Sequence, residues 1–369
     1  MKIVADENIV SLTDYFGVDH DWVLKPGRDI KREDVIDADI LLVRSITPVN
    51  EALLHDTTVR FVGSVTTGAD HLDTAWLDQA KVAWYAAEGC NAIAVAEYVI
   101  ASIAALQLEE ALPKTPLKIA IIGVGRIGSL LADKLKVLGC ELLLCDPVRA
   151  AMDPSFQHTP IEAIHDVDLI SLHTPITASG EHATFHLIDK NFLLKQKKST
   201  VLLNASRGAV ISFEDLLEYG QSLYWCLDVW EQEPYVDLSV LNFTEIATPH
   251  IAGYSVQSKC RGIEMVYHTA REQGFITSDA PISITKPQHV LSFKDEKISW
   301  RDVVLRSYDP LLTTQLMKKH LFANPSAEVF DALRKNFQER HEFGFTTLKH
   351  ASLMPEDVSI LSELGYNFQ

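Results

Sequence analysis

Cysteine is scarce in this sequence, and its pattern excludes two kinds of stabilising site. There are five cysteines in 369 residues, an odd number, and they stand mostly inside apolar runs without metal-ligand spacing. We therefore predict reduced core thiols, with neither a disulfide framework nor a metal site. The positions are Cys90, Cys140, Cys145, Cys226 and Cys260.

The sequence also lacks the features of a secretory leader or a membrane span. Met1 runs directly into the strand-like residues 2–5, without a basic n-region or an apolar h-region. The longest apolar stretch, residues 92–108, is marginally short for a bilayer and contains Glu97. It predicts a buried helix that links two domains. Together with the cysteine pattern, these features predict a cytoplasmic protein that does not engage a membrane.

Positive charge is in short supply. The chain has 33 Lys and Arg residues against 50 Asp and Glu residues, for a formal net charge of −17. Nonspecific nucleic-acid binding relies on clustered basic residues, so no nucleic-acid partner is expected. Any site for an anionic substrate must supply local positive charge that overrides the repulsive field of the whole chain.

The sequence does contain a glycine-rich turn between an apolar strand and a helix, in Ile119-Ala-Ile-Ile-Gly-Val-Gly-Arg-Ile-Gly. Gly123 permits the tight turn, Gly125 lets the backbone approach a pyrophosphate, and Gly128 lets helix and strand pack closely. The helix begins near Arg126 and Ile127, and its N-terminus supplies amide donors and a positive dipole. This pattern predicts a dinucleotide site.

An acidic residue follows where a dinucleotide site requires one. Asp146 closes the next apolar run, residues 141–145, and is placed to accept hydrogen bonds from a ribose diol. A carboxylate at this position repels a 2′-phosphate, so the sequence predicts NAD as the cofactor in preference to NADP. A purely structural turn between strand and helix would not account for the acid.

Two alternations of strand-like and helical segments predict an α/β protein. The fold class that we expect is two Rossmann-like or flavodoxin-like domains, each with a doubly wound parallel sheet, followed by a small C-terminal α+β dimerisation domain. The strand candidates of the second alternation are residues 118–122, 141–145, 168–172, 200–204, 224–228 and 245–248.

The alternations also set the expected domain boundaries. Residues 1–95 and 255–285 form a substrate-binding domain, because a helix-compatible stretch over 255–273 is expected to return the chain to the first domain. Residues 96–254 form the NAD-binding domain. Residues 286–369 form the dimerisation domain, which includes a charged helix-like segment over 327–341.

Polar segments at three strand ends of the second domain contain Arg207, Glu233 and His250. Ligands of open α/β sheets bind at these strand ends. The order and positions of the three residues resemble the D-2-hydroxyacid dehydrogenase family, over roughly residues 1–285. Oxidation of a 2-hydroxy acid removes the hydroxyl proton while a hydride leaves C2 for the nicotinamide, so a base must face the hydroxyl oxygen.

The residue types suit this chemistry. His250 is the candidate base, and a carboxylate at Glu233 would orient its imidazole and stabilise the imidazolium. Arg207, permanently charged and fork-shaped, would hold the substrate carboxylate and polarise the C2 oxygen. The resemblance leaves His173 as a structural residue. It also implies that the cofactor is lined by Thr174, Ala205, Ser206, Asp228 and Gly253.

Further segments resemble one branch of the family, which oxidises a phosphorylated hydroxy acid on the route to pyridoxal 5′-phosphate and forms a homodimer. Tyr254 stands where many relatives have a small residue. The resemblance implies substrate contacts at Ser45, Thr66 and Tyr254; for the tyrosine, a packed aromatic at a helix start is the alternative. Besides Tyr254, the segments that carry this resemblance are Ala5-Asp-Glu-Asn-Ile, residues 89–98 and residues 330–340.

A substrate phosphate would need cations. One candidate is Arg44; the others are Arg334, Lys335 and Arg340, provided that a partner's C-terminal segment reaches the site, although an ordinary solvated helix face explains those three equally well. Two alternative functions stay open. One is another dehydrogenase of the family, for 3-phosphoglycerate or an unphosphorylated acid. The other is an NAD-sensing binding or corepressor protein.

Overall fold

The computed structural model describes residues 1–114, 116–277, 288–293, 297–349 and 352–369. The chain divides into two compact units. The first unit contains Met1–Asn91 and the described residues from Ser255 to 277. The second unit contains Ala92–Tyr254 and the described residues from Gln288 onward.

The strands and helices are numbered in chain order. The strands are β1 (Lys2–Asp6), β2 (Asp21–Lys25), β3 (Ile40–Val43), β4 (Phe61–Ser64), β5 (Ala83–Ala86), β6 (Lys118–Ile122), β7 (Glu141–Cys145), β8 (Leu169–Leu172), β9 (Val201–Asn204), β10 (Tyr224–Leu227), β11 (Thr244–Ala247), β12 (His289–Ser292), β13 (Thr346–Lys349) and β14 (Asn367–Phe368). The α-helices are α1 (Leu12–Phe16), α2 (Arg32–Val35), α3 (Glu51–Leu54), α4 (Thr74–Ala80), α5 (Ala92–Leu108), α6 (Arg126–Val137), α7 (Pro147–Met152), α8 (Lys190–Leu193), α9 (Phe213–Tyr219), α10 (Leu238–Phe243), α11 (Val256–Glu272), α12 (Trp300–Ser307), α13 (Pro310–Ala323), α14 (Ala327–Lys335) and α15 (Pro355–Leu364). Single 3-10 turns cover Gly27–Asp29, Ile161–Ala163, Gly208–Val210 and Phe343–Phe345.

The first unit is built on a parallel sheet with the strand order β2-β1-β3-β4-β5. This is the flavodoxin-like order, in which the chain reverses direction between β1 and β3. Strands β3 and β4 are buried along their whole length, as their continuous apolar sequences predict. Helix α11 lies in this unit and packs tightly beside β4: a Cβ on Gly262 would stand 2.1 Å from the Val65 carbonyl oxygen.

The second unit is built on a parallel sheet with the strand order β11-β10-β9-β8-β6-β7. Each of its strands lies within one residue of a predicted one, and the α/β prediction of doubly wound parallel sheets is confirmed. The direction of winding reverses between β6 and β8, which places the carboxyl ends of these two strands at the expected ligand-binding crevice.

The apolar stretch that could superficially suggest a membrane span is α5, a helix buried in the core of the second unit. Even Glu97 and Ser102 on this helix are buried. Over the residues that the structure describes, no helix is long and apolar enough to span a bilayer. The cysteines are free thiols, four of them buried and Cys140 half-buried.

The C-terminal segment forms a parallel sheet of β12, β13 and β14 together with α12 to α15. Its apolar side chains, among them Trp300, Leu348 and Tyr366, join the same hydrophobic cluster as α5. The predicted helix over 327–341 is too long, since α14 ends at Lys335. The chain leaves the helix and turns Arg340 inward, where its Nη2 donates hydrogen bonds to the carbonyl oxygens of Ala94 and Ala252, each at 2.7 Å.

Candidate active site

The glycine-rich turn over residues 123–128, called here the dinucleotide turn, has the geometry that each predicted role requires. Gly123 has a φ of +88°, and a Cβ on it would lie 2.6 Å from the carbonyl of His173. Around Gly125 the space is open, since an added Cβ would meet no described heavy atom within 4 Å. A Cβ on Gly128 would lie 2.2 Å from the Gly123 carbonyl oxygen, so helix α6 packs directly on the turn.

Asp146 is tied to the dinucleotide turn by hydrogen bonds. Its Oδ2 accepts from the Val124 amide at 2.8 Å, and its Oδ1 accepts from the Arg149 amide at 2.9 Å, which caps α7. The Arg149 guanidinium donates in turn to the Val124 carbonyl at 2.8 Å. Each carboxylate oxygen keeps a second lone pair, so these contacts are compatible with the predicted hydrogen bonds to a ribose.

The carboxyl end of β8 carries polar atoms that need a partner. Within the described part of the chain, the Thr174 Oγ1 and the His173 Nδ1 are buried and have no hydrogen-bond partner. Buried polar atoms in folded proteins are nearly always satisfied by protein, water or a ligand. Thr174 stands beside the dinucleotide turn, at the reversal of the sheet. These residues fit a dinucleotide, which Gly125, Arg126, Asp146 and Thr174 would hold.

Burial lowers the pKa of His173 from its usual 6.5 to about 3. Between these values the unfolded chain binds a proton that the folded chain does not, so stability is lost as the pH falls. At pH 5 the loss is about 2 kcal/mol relative to pH 8. We expect His173→Gln to remove this difference when the free energy of unfolding in urea is measured at both pH values. An unchanged difference would show that folding does not lower the pKa of His173.

The loop after β9 holds Arg207 through Asn204. The Asn204 Oδ1 accepts from the Ser206 amide at 3.0 Å and the Ser206 hydroxyl at 2.7 Å, while its Nδ2 donates to the Arg207 carbonyl at 2.9 Å. The chain then passes close to the next loop, because a Cβ on Gly208 would lie 2.1 Å from the Trp230 carbonyl. Asn204 was not predicted as a site residue, although it stands three residues before the arginine.

His250 and Glu233 form a hydrogen-bonded pair, called here the dyad. The imidazole Nδ1 lies 2.7 Å from the Glu233 Oε2, and the Glu233 Oε1 accepts from the Trp230 amide at 2.9 Å. The backbone of His250 has a φ of +56°, and its amide donates to the Asp228 carbonyl at 2.7 Å. The two side chains are 34% and 23% exposed, so both are partly accessible to a ligand.

Charge at the dyad favours an ionised carboxylate. Burial alone would raise the pKa of Glu233. The charge and hydrogen bond of His250, the Trp230 amide and the charge of Arg334 outweigh it and lower that pKa below its ordinary value. When the imidazole is neutral, the ionised Glu233 favours the tautomer in which Nδ1 carries the proton, so Nε2 is left as the proton acceptor.

The loop that carries His250 is supported by Asp228. This carboxylate is buried and accepts from the Thr248 hydroxyl at 2.6 Å and from the amides of Ile251 and Ala252 at 2.7 and 2.9 Å. Thr248 also hydrogen-bonds the Tyr98 hydroxyl at 2.8 Å. These bonds position the dyad; the predicted contact of Asp228 with the cofactor stays a prediction, as do those of Ala205, Ser206 and Gly253.

Tyr254 follows the dyad and meets the C-terminal segment of its own chain. Its hydroxyl lies 3.1 Å from the Arg334 Nη2, and its ring packs edge to face on Phe337 at 6.4 Å. In the first unit, Ser45 and Thr66 follow the adjacent strands β3 and β4 at the carboxyl edge of the sheet. Ser45 is exposed, and Thr66 Oγ1 lies 3.2 Å from the Ser64 hydroxyl. Their substrate contacts stay predictions.

Comparison of the sequence with known proteins gives consistent matches. A family model described as D-isomer specific 2-hydroxyacid dehydrogenase, NAD binding domain, matches residues 109–252. An erythronate-4-phosphate dehydrogenase of Coxiella burnetii (strain RSA 331 / Henzerling II) is 41% identical over 347 residues, 93% of each chain. One of Saccharophagus degradans (strain 2-40 / ATCC 43961 / DSM 17024) is 37% identical over 374 residues, 99% of each chain.

Solved structures share the fold. A D-lactate dehydrogenase from Aquifex aeolicus, complexed with NAD and lactic acid, superimposes with a TM-score of 0.62 at 22% identity, covering 74% of this chain and 96% of that one. A 3-phosphoglycerate dehydrogenase of Entamoeba histolytica with bound NAD gives a TM-score of 0.62 at 21% identity and the same coverage.

Proposed function

The chain belongs to the erythronate-4-phosphate dehydrogenases, within the D-isomer specific 2-hydroxyacid dehydrogenase family, and we propose that it oxidises 4-phospho-D-erythronate to 2-oxo-3-hydroxy-4-phosphobutanoate in the biosynthesis of pyridoxal 5′-phosphate. It is an NAD-dependent dehydrogenase. The observation that carries the proposal is the intact dyad, with Nδ1 of His250 2.7 Å from Glu233, in the same unit as the dinucleotide turn.

The dyad supplies the acid–base chemistry of the reaction. When bound, NAD provides the acceptor for the hydride that leaves C2. His250 accepts the C2 hydroxyl proton on Nε2, and the Glu233 carboxylate stabilises the imidazolium that results. Arg207 holds the substrate carboxylate through a two-pronged hydrogen bond and draws electron density from the C2 oxygen. Ser45, Thr66 and Tyr254 contact the rest of the substrate.

The substrate is tested by initial rates of NAD reduction with 4-phosphoerythronate, unphosphorylated erythronate and 3-phosphoglycerate in parallel. A second set of assays adds a 2-oxo acid acceptor, so that cofactor retained by the protein is also detected. We expect 4-phosphoerythronate to have the highest kcat/KM. Preference for another acid would leave the family assignment unchanged and refute the proposed substrate. Cofactor binding without turnover of any acid would favour the NAD-sensing alternative, against which the intact dyad argues.

We also propose that the protein is a cytoplasmic homodimer that pairs through its C-terminal segment. Helix α13 exposes Leu312, Leu316 and Phe322, which are 58, 52 and 46% exposed in the single chain. Apolar side chains grouped on one helix are typical of a subunit interface. Sedimentation equilibrium is expected to give twice the chain mass, and Leu316→Glu is expected to shift the protein toward the monomer. A wild-type monomer at micromolar concentration would contradict the proposal.

A further inference from the structure

The structure separates the basic residues that a substrate phosphate could use. The Arg44 guanidinium is engaged by the buried carboxylate of Asp6, with its Nε 2.8 Å from Oδ2 and its Nη2 3.3 Å from Oδ1. Arg340 is buried in the second unit, where it bonds the carbonyls of Ala94 and Ala252. Both arginines are therefore held by groups of their own units, although the buried Nε and Nη1 of Arg340 have no hydrogen-bond partner among the described residues.

Arg334 differs from these residues because it contacts Tyr254, which closely follows the dyad in sequence. It lies near the end of α14, and its Nη2 is 3.1 Å from the hydroxyl of Tyr254, four residues after His250. The guanidinium carbon is 5.9 Å from the centre of the Tyr254 ring. The positive charge of Arg334 also contributes to lowering the pKa of Glu233. The same chain that carries the dyad thus places a guanidinium against Tyr254, with no need for a partner's C-terminal segment.

Arg334 also keeps donor capacity. A guanidinium has five N–H groups, and the hydrogen bond to the Tyr254 hydroxyl uses one of them. Among the described residues, its Nε is buried and has no hydrogen-bond partner. A phosphate dianion approaching Glu233 in a chain of net charge −17 would be repelled unless a cation stood nearby. The geometry of a guanidinium matches phosphate through paired donors.

We propose that Arg334, together with the Tyr254 hydroxyl, binds the phosphate of the substrate and so determines the preference for a phosphorylated hydroxy acid. This inference rests on the proposed function. Arg207 takes the carboxylate at one end of the substrate, and Arg334 takes the phosphate at the other. Although the whole chain is acidic, positive charge is thereby available at the site where the substrate binds.

Arg334→Gln tests the proposal, with Lys198→Gln as the control that removes a positive charge from an exposed residue elsewhere in the second unit. We expect Arg334→Gln to raise KM for 4-phosphoerythronate about thirtyfold or more, while kcat falls less than about tenfold. The kcat/KM for unphosphorylated erythronate is expected to change less than about threefold. The inhibition constant of inorganic phosphate, measured against the unphosphorylated acid, is expected to rise about tenfold.

Equal losses with the phosphorylated and unphosphorylated acids would overturn the proposal, since they would show that Arg334 only positions Tyr254. If the glutamine variant fails to fold by circular dichroism, Arg334→Lys gives the same comparison with the charge kept and the paired donors lost. If the wild-type protein does not oxidise 4-phosphoerythronate, the proposed substrate fails. Phosphate inhibition of whichever acid is oxidised then still tests Arg334, and an unchanged inhibition constant in the variant refutes its role.

Discussion

Replacing His250 with glutamine is expected to lower kcat on the order of a thousandfold. Glutamine retains polarity and a similar volume, but it cannot accept the proton that leaves the C2 hydroxyl. The dissociation constant of NAD, measured by titration calorimetry, is expected to change less than about threefold, because the dinucleotide turn and Asp146 remain intact. The decisive quantity is kcat at saturating substrate, since a loss confined to KM would indicate a binding role.

His165→Gln is the matched control for this variant. His165 is an exposed histidine of the second unit beside Asp166, so it has an acidic partner without a place in the site. Its substitution is expected to leave kcat within about twofold of the wild-type value. A His250→Gln enzyme that turned over at the rate of this control would remove His250 from the mechanism, whatever the geometry of the dyad.

Replacing Arg207 with lysine is expected to lower kcat/KM by about a hundredfold to a thousandfold. Lysine preserves the charge but offers a point ammonium in place of a planar fork, so it cannot hold the substrate carboxylate and polarise the C2 oxygen together. The loop itself should survive, since Asn204 bonds the backbone of Arg207 and not its side chain. The measurement is the initial rate over a range of substrate concentrations.

Arg60→Lys provides the comparison for the arginine variant. Arg60 lies in the first unit, 59% exposed, and pairs with Asp39 on the surface. Exposed ion pairs contribute little, so this variant is expected to match the wild-type kcat/KM. If Arg207→Lys matched it too, the fork geometry of Arg207 would be irrelevant to the reaction, and the assignment of the substrate carboxylate to this residue would be wrong.

The second unit shows how far apolar patterning predicts this fold. Its inner strands β6, β8, β9 and β10 are almost wholly buried and appear as continuous apolar runs. All six strands were placed to within one residue. Strand β2 (Asp21–Lys25) was not predicted, because it is a partly exposed edge strand whose apolar run is limited to Trp-Val-Leu between two charged residues. The predicted helix that contains α14 was extended beyond Lys335, because the local sequence does not show that the chain turns to bury Arg340 against Ala94 and Ala252.

The candidate site was likewise predicted only in part from the sequence. The positions of Arg207, Glu233 and His250 after strand ends could be predicted from the sequence, because each residue follows an apolar run. The contacts that position these residues could not be predicted, since they join residues far apart in the chain. Tyr98 meets Thr248 across 150 positions, and Arg334 meets Tyr254 across 80. Only the folded chain shows that α14 of the same molecule reaches the dyad.

We propose that this protein removes a hydride from C2 of 4-phosphoerythronate and passes it to NAD. The most direct test uses 4-phosphoerythronate carrying deuterium at C2, with the reduced cofactor and the 2-oxo acid both analysed by mass spectrometry after a single turnover. We predict one deuterium in the nicotinamide ring for each molecule of 2-oxo acid formed, and no label in solvent. Reduced cofactor without deuterium, or a 2-oxo acid formed while the cofactor stays oxidised, would show that the hydride does not pass from C2 to NAD.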